Sequence, residues 1–146
     1  MNLSERGITV RRTIEADLRQ IYELGSGEPC FKDLTFAFNA ENLAEIFASE
    51  NSICCTAVRK KKVLGFIAGY AADGVSRIRW ITVKETFRKA GIGNELLALY
   101  REISGIRGAR NFLIDVFKNS PGTVKFFTGR GFTVKEDYVE LYKKSE

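Results

Sequence analysis

The sequence contains no histidine and only three cysteines in 146 residues. The missing imidazole excludes Ser-His-Asp and Cys-His nucleophile systems and every histidine-based metal site. The cysteines, which are Cys30, Cys54 and Cys55, are odd in number and form no Cys-x-x-Cys pair, so neither a zinc site nor a disulfide framework is predicted. We therefore expect reduced, mostly buried thiols and no bound metal.

Long hydrophobic runs are also absent. Residues 1–12 lack the apolar core of a secretory signal. No apolar run approaches the about 20 residues that cross a bilayer. The expectation is a cytoplasmic protein without a membrane partner, either monomeric or homodimeric.

The composition that is present is that of a folded chain with localised positive charge. With 45% apolar and 28% charged residues, 146 residues predict a single compact domain over 1–146. The net charge is only +5, but residues 77–130 hold 11 basic and 4 acidic side chains, a net +7. Such a segment predicts an anionic partner, which could be phosphate, nucleic acid or a membrane surface.

Hydrophobic periodicity predicts the order β-α-α-β-β-β-α-β-α-β-β. A strand over 7–12 precedes a helix capped by Thr13, and a loop over 25–38 precedes a second helix capped by Asn39. The later elements follow in chain order: a hairpin of strands 52–59 and 63–72, a turn at Asp73-Gly74, a strand over 75–83, a helix from about Gly91 to Ser104 closed by Gly105, a strand over 111–116 near the centre of the sheet, a brief helix over 122–128, and strands near 132–136 and 139–143. The class is α+β with a mixed, largely antiparallel sheet.

The most informative segment runs from strand through a basic glycine loop into an amphipathic helix, over residues 81–97. Gly91 and Gly93 allow backbone N–H groups to approach a ligand closely. The helix that follows carries partial positive charge at its first turn, and Arg88 and Lys89 add to it. The segment predicts a phosphate-binding cradle, with a simple tight turn as the plainer alternative.

The loop differs from two other phosphate-binding motifs. A nucleotide P-loop needs Gly-Lys-Ser/Thr, which is not present. A dinucleotide fingerprint needs a third glycine where Leu96 stands, and its strand should run directly into the first glycine. Asp115, 22 residues beyond Gly93, does resemble the ribose-binding acid of that fingerprint, so dinucleotide binding remains the second reading.

Two motifs resemble the GNAT superfamily of N-acetyltransferases. The strand end Ile81-Thr-Val83 followed by Arg88-x-x-Gly91-x-Gly93 is similar to the family's acetyl-CoA pyrophosphate motif. The stretch from Asn119 to Gly131-Phe132 resembles its second cofactor segment. The resemblance covers roughly residues 7–143. It implies α/β/α layers, with a GNAT-like central sheet of about seven strands flanked by about four helices.

The resemblance also implies a co-substrate, acetyl-CoA, and residues that bind it. Backbone groups of Ile81 and Val83 would pair with the pantetheine arm, and the Val83 N–H would stabilise the thioester oxyanion. Asn119 would lie near the pantetheine, although a strict count from Gly131 puts the family's asparagine position at Ser120. Six residues would hold the pyrophosphate: Arg88, Lys89, Gly91, Ile92, Gly93 and Asn94. The implied reaction is direct attack of a bound amine on the thioester, with no covalent enzyme intermediate.

The proton-transfer groups usual in the family are missing from their usual places. Phe127, among the residues expected around the cofactor, occupies the position that often carries a general-acid tyrosine. The strand that often carries a basic glutamate has Arg77 and Arg79 instead. Tyr138, beside Asp137, is the remaining candidate catalytic residue. The two arginines are two positions apart in the strand and therefore lie on one face of it, which favours an anionic amine acceptor.

The sequence therefore supports three hypotheses. The first is an N-acetyltransferase that moves the acetyl group of acetyl-CoA to a primary amine of a small molecule, peptide or protein. The alternative is a CoA-binding sensor or partner module with weak or lost catalysis. A basic nucleic-acid-binding domain is the third, and it lacks the basic motif interleaved with aromatic residues that RNA binding uses, so nucleic acid is not expected as a partner.

Overall fold

The computed structural model describes residues 2–137 and 139–145. They form two compact units, residues 1–114 and residues 115–146. The first unit contains the sheet and three α-helices. Its elements are β1 Thr9–Arg12, α1 Leu18–Ser26, α2 Ala40–Ala48, β2 Ser52–Arg59, β3 Lys62–Ala72, β4 Val75–Val83, α3 Ile92–Ile106 and β5 Asn111–Ile114.

The sheet has the strand order β1-β2-β3-β4-β5. The first three pairings are antiparallel, and β4 pairs with β5 in parallel. This confirms the predicted mixed, largely antiparallel sheet. The crossover that the parallel pair requires is made by α3, the 15-residue helix between β4 and β5.

Two tight hairpins order the middle of the sheet. Lys60 and Lys61 connect β2 to β3 with φ values of 49° and 66°, and Asp73 and Gly74 connect β3 to β4 with 54° and 79°. Positive φ at both central residues is typical of the type I′ turn, whose twist matches that of paired strands. The Asp-Gly turn has the residues that this geometry favours, whereas the Lys-Lys turn does not.

Of the two predicted helix N-caps, one is confirmed and the other is wrong. Asn39 caps α2 as predicted, since its side-chain oxygen accepts the N–H of Asn42 at 2.7 Å. The prediction of Thr13 as the first cap is wrong, because its hydroxyl shares a 2.6 Å hydrogen bond with Thr56. The carboxylate of Asp17 instead accepts the Ile14 N–H at 2.9 Å.

Helix α3 begins one residue after Gly91, close to the predicted start. The prediction that Gly105 ends it is wrong, because Gly105 lies inside the helix. Glycine costs about 1 kcal/mol in a helix interior, which does not suffice to break it. The end comes at Gly108, whose φ is 89°. There the N–H of Gly108 donates to Gly105 O and that of Ala109 to Ser104 O, the paired bonds of a Schellman motif.

A one-residue bulge in β4 changes which side of the sheet its residues face. Ala68 pairs with Trp80 and Gly69 with Ile78, which leaves Arg79 as the extra residue. Before the bulge, the Ser76 hydroxyl donates to the Tyr100 hydroxyl of α3 at 2.8 Å. After it, Trp80 packs in the cluster that contains Ile21 of α1 and Leu43 of α2. In a regular strand without the bulge, Ser76 and Trp80 would face the same side of the sheet, because they are four residues apart.

Strand β5 is shorter and less central than the sequence predicts. It covers 111–114 rather than 111–116, it stands at one end of the strand order, and its residues are exposed or half-buried. The prediction of a central position is therefore wrong for the described part of the sheet. Its apolar run Phe112-Leu113-Ile114 suggested a strand buried on both faces, but Leu113 is 38% exposed.

The second unit contains helix α4, Pro121–Thr128, close to the predicted short helix. The two strands predicted near 132–136 and 139–143 are not formed in the described residues, so the sheet has five strands there rather than about seven. The alternating apolar residues that suggested a hairpin have no buried face, since Val134, Val139 and Leu141 are 55%, 83% and 89% exposed. Without that burial, the alternation alone does not stabilise strands.

Candidate functional site

The second half of β4 has one open backbone edge. Its pairing with β5 ends at Ile78 and Ile114. The N–H of Lys84 donates to Leu64 O of β3 at 2.7 Å, so Thr82 also points its backbone groups toward β3. The backbone groups of Ile81 and Val83 consequently point the other way. On that side the described residues supply no strand, which leaves the N–H groups of both residues and the Ile81 carbonyl for an extended ligand.

The glycine loop follows within eight residues of that edge. Gly91 precedes α3 with φ of 92°, a conformation that strains any other residue, and Lys89 has φ of 66°. The first α3 hydrogen bond in the chain runs from Glu95 N to Gly91 O at 3.1 Å. The N–H groups of the preceding turn have no acceptor within the helix. The Ile92 side chain is 1% exposed and anchors this turn in the core.

The side chain of Arg88 is directed to partners that the sequence did not suggest. Its Nε donates to Val83 O at 2.9 Å, and its Nη2 lies 2.9 Å from Glu28 Oε1. The first contact is consistent with Val83 pointing its carbonyl away from β3. The resemblance assigns the Arg88 side chain to the pyrophosphate, whereas here it connects the end of β4 to the loop after α1.

Glu28 is the site residue that sequence reasoning missed. Its Oε1 also accepts the hydroxyl of Thr82 at 2.5 Å, so one carboxylate oxygen receives two hydrogen bonds from the β4 region. The side chain is 26% exposed. No motif marks Glu28, because it lies in the irregular stretch after α1, 54 residues before Thr82. The carboxylate that the strand itself lacks is thus supplied by a loop.

The two arginines of β4 are found on one face, as predicted. Arg77 is in register with Tyr70, and the guanidinium of Arg79 lies 5.0 Å from the centre of the Tyr70 ring. The same guanidinium lies 4.8 Å from the ring of Phe36. Both aromatic residues belong to the side of the sheet on which Trp80 packs.

Two of the three cysteines, Cys54 and Cys55, have no features of a nucleophile. Burial raises the pKa of Cys54 to about 11 and that of Cys55 to about 12. Both therefore stay protonated near neutral pH, and a thiol is a far weaker nucleophile than a thiolate. Burial likewise raises the pKa of Tyr100, a hydroxyl enclosed between β4 and α3, to about 12. None of these groups is suited to covalent or acid–base work.

The remaining predicted site residues belong to the second unit. Asn119 is exposed in the turn before α4. Phe127 is 3% exposed, with ring centroids of Phe126 and Phe132 both 5.0 Å away. These three rings therefore pack against one another on α4 and in the turn after it. Tyr138, the candidate catalytic residue, lies outside the described residues.

The sequence of residues 16–132 matches the model of the acetyltransferase (GNAT) family. The chain belongs to the GNAT acetyltransferase family. The resemblance inferred from the two cofactor motifs is therefore confirmed, and so is the fold class. No curated protein sequence matches the chain.

Solved structures resemble this GNAT chain over nearly its whole length, at low identity. An aminoglycoside acetyltransferase from an uncultured soil metagenomic sample, in complex with sisomicin, has a TM-score of 0.76 at 19% identity, covering 97% of this chain and 99% of that one. Aminoglycoside N-acetyltransferase AAC(6')-Iy in complex with CoA has a TM-score of 0.75 at 19% identity, and the match covers 94% of this chain and 95% of that one. Ard1 from Thermoplasma volcanium has a TM-score of 0.75 at 19% identity, and the match covers 88% of this chain and 84% of that one. These likenesses show the fold.

No helix in residues 2–137 and 139–145 combines the length and apolar character needed to cross a bilayer. The same stretch of this GNAT chain holds no group of three or more potential metal-ligating side chains.

Proposed function

We propose that this GNAT protein is an acetyl-CoA-dependent N-acetyltransferase that acts on a primary amine. The observation that carries the proposal is the open backbone edge at Ile81 and Val83, which leads within eight residues to the glycine loop before α3. An extended pantetheine arm fits the first as an added strand would, and a pyrophosphate fits the second.

The residues fit the phosphate end of such a ligand on two grounds. Ile92 and Gly93 at the start of α3 provide N–H groups without an acceptor inside the helix, at the end where the helix dipole is positive. Lys89, exposed beside them, adds a full positive charge. The pyrophosphate would be held by this turn, mainly through backbone groups of residues 91–94, since the Arg88 side chain has other partners.

Glu28 is our candidate for the proton acceptor. Within the described residues its second carboxylate oxygen, Oε2, has no hydrogen-bond partner, while Thr82 and Arg88 hold Oε1. The acceptor, an ammonium ion near neutral pH, loses one proton to Glu28 before its nitrogen attacks the thioester carbonyl carbon. The C–N bond forms, the C–S bond breaks, and the nitrogen releases its second proton to solvent.

The departing CoA sulfur needs no dedicated acid in this scheme. A CoA thiol resembles a cysteine, with a pKa of about 8.5, so the thiolate leaves and takes a proton from solvent. The Val83 N–H, on the open edge, is our candidate donor to the carbonyl oxygen as it gains negative charge. A missing general acid slows such a reaction by about 10²–10⁴-fold without abolishing it.

A second candidate function is a CoA-binding sensor or partner module. It is favoured by Phe127, a buried ring with no hydroxyl at the position where the resemblance expects a tyrosine. It shares the cofactor site with the first proposal and differs only in lacking acetyl transfer. The presence of Glu28 beside β4 favours the enzyme.

A thermal-shift series followed by a thiol-release assay tests both. Acetyl-CoA should raise the melting temperature, because a ligand that binds only the folded state stabilises it by about 2.7 kcal/mol at 100 times Kd. NAD and oligonucleotides serve as controls and should leave it unchanged. Release of free CoA thiol over a panel of amines then supports the enzyme, and its absence supports the binding module. A melting temperature unaffected by millimolar acetyl-CoA would contradict both.

A further inference from the structure

Arg79 is held between two aromatic rings. Its guanidinium carbon lies 4.8 Å from the centre of the Phe36 ring and 5.0 Å from that of Tyr70. Guanidinium groups stack on aromatic faces in this way, which removes water from the flat faces and leaves the N–H groups at the edge. The rings therefore fix the plane in which this cation can donate hydrogen bonds.

The charge of Arg79 has little compensation within the described residues. Its one hydrogen bond there is long, 3.4 Å from Nη2 to the Tyr70 hydroxyl, and no carboxylate forms an ion pair with it. Its Nε is buried and has no acceptor, and neither has the neighbouring Trp80 Nε1. Arg79 as a whole is half-buried, and a cation partly removed from water without an anion is costly, so a bound anion would complete this arrangement.

The β4 bulge places Trp80 and Thr82 on the side of the sheet that Arg79 faces. Arg79 and Trp80 both contact Phe36, and Thr82, two residues beyond Trp80, bonds to Glu28. Three residues of extended chain span about 10 Å, so Arg79 and the Glu28–Thr82 pair lie at the two ends of a short track along β4. One end suits an anion and the other an ammonium ion.

We infer that the acceptor amine carries a carboxylate, which the edge of the Arg79 guanidinium binds while the amine lies at Glu28. This rests on the proposed acetyl transfer and names its substrate class. A carboxylate matches the planar donor pair of arginine with two parallel hydrogen bonds. A polycationic acceptor would place like charge against Arg79. The acceptor that we expect for this chain therefore differs in charge from the aminoglycosides named for the similar structure in complex with sisomicin.

Three six-carbon acceptors that differ only at the distal end test the inference. These are 6-aminohexanoate, hexylamine and 1,6-diaminohexane, whose distal groups are anionic, neutral and cationic. We expect kcat/KM for 6-aminohexanoate to exceed that for hexylamine by about 10- to 100-fold, the range of a charge-assisted hydrogen-bonded pair. The diamine should be the poorest acceptor.

Variants of Arg79 then test whether this residue causes the preference for 6-aminohexanoate over hexylamine. Arg79→Met should remove it, so that kcat/KM for 6-aminohexanoate falls to about that for hexylamine in the same variant, and Arg79→Lys should retain only part of it, because lysine lacks the planar donor pair. Arg19→Met is the matched control, since it removes the same charge from a side chain that is 90% exposed on α1. It should keep the preference.

Acetyl transfer with equal kcat/KM for 6-aminohexanoate and hexylamine, or with the diamine preferred, overturns the inference and leaves the proposed function intact. Absence of any acetyl-CoA-dependent shift overturns the proposed function and the inference with it. If Arg79→Met fails to fold, hexanoate is tested on the unaltered protein. It should inhibit hexylamine acetylation competitively and less strongly at high salt, and no inhibition would refute the carboxylate site.

Discussion

Arg88 Nη2 lies 2.9 Å from Glu28 Oε1, although the two residues are 60 positions apart in the chain. The same guanidinium holds the carbonyl of Val83, the last residue of β4. One side chain thus connects the start of the glycine loop, the end of the open strand and the carboxylate beside it. The position of the proposed proton acceptor therefore depends on the loop that we propose to bind the cofactor.

Replacing Glu28 by glutamine should reduce catalysis and spare cofactor binding. Glutamine keeps the shape and an oxygen for Thr82 but cannot take up a proton, so kcat in the thiol-release assay should fall by about 10²–10⁴-fold. The thermal shift with acetyl-CoA should stay as in the unaltered protein. Glu23→Gln, at a side chain 64% exposed on α1, is the control and should be neutral. An unchanged kcat in Glu28→Gln would remove Glu28 from the mechanism.

A glutamate at Gly93 should abolish the stabilisation by acetyl-CoA. Gly93 lies in the first turn of α3 without positive φ, so a side chain is compatible with its backbone, whereas a change at Gly91 would be strained by its φ of 92°. The new carboxylate would repel phosphates from the N–H groups there. Gly105→Glu adds the same charge near the other end of α3, where a Cβ meets nothing within 4 Å. If both variants lose the shift equally, the cradle assignment is wrong.

Gly69 should be intolerant of even a methyl group. A Cβ there would collide with the Arg77 carbonyl oxygen and the Tyr100 hydroxyl, and the first of these is backbone that cannot rotate away. We expect Gly69→Ala to lower the free energy of unfolding by about 3 kcal/mol or more, measured by urea denaturation. Gly105→Ala adds the same methyl group in an open helical position and should raise stability by up to about 1 kcal/mol. A near-neutral Gly69→Ala would mean that the strands separate easily at this point.

Local sequence signals predicted much of this fold because their causes are local. The Asp73-Gly74 turn, the Asn39 cap and the glycine before α3 each follow from the chemistry of one or two residues, and each was predicted at or near its observed position. The apolar runs of β2 to β4 likewise predicted strands whose ends agree with those observed, except that β3 begins one residue earlier. The family resemblance came from the same kind of short, contiguous motif.

What could not be predicted depends on contacts between distant segments. The bulge at Arg79 has no marker in the sequence, since Val75–Val83 alternates as any strand does, and it decides which side of the sheet Trp80 and Thr82 face. Glu28 became a site residue only because the fold brings its loop to Thr82. The last predicted hairpin failed for the related reason that alternation near Val134 and Leu141 does not by itself provide a surface to bury it.

The Asp17–Arg11 pair predicts how stability falls in acid. Arg11 donates to both carboxylate oxygens of Asp17, at 2.7 and 3.0 Å, and the Ile14 N–H donates at 2.9 Å. Burial by itself raises the pKa of Asp17, but these hydrogen bonds and the Arg11 charge outweigh it, so the pKa lies below its ordinary value. The folded state therefore binds this proton less readily than the unfolded chain. The stabilisation is complete above about pH 4, the ordinary value for aspartate, and is lost as pH falls through the lowered pKa.

Asp17→Asn should accordingly cost about 2 kcal/mol of unfolding free energy at pH 7, where it leaves the Arg11 charge without its partner. The difference from the unaltered protein should shrink as the pH falls below about 4, because the unfolded chain then takes up the Asp17 proton while the native carboxylate stays ionised until its lowered pKa is reached. Urea denaturation at a series of pH values measures this. Glu15→Gln removes an equal charge from the exposed start of the same turn, and its smaller effect should not follow that course. A gap between Asp17→Asn and the unaltered protein that stays constant down to pH 3 would show that packing, rather than the carboxylate charge, supplies the stabilisation.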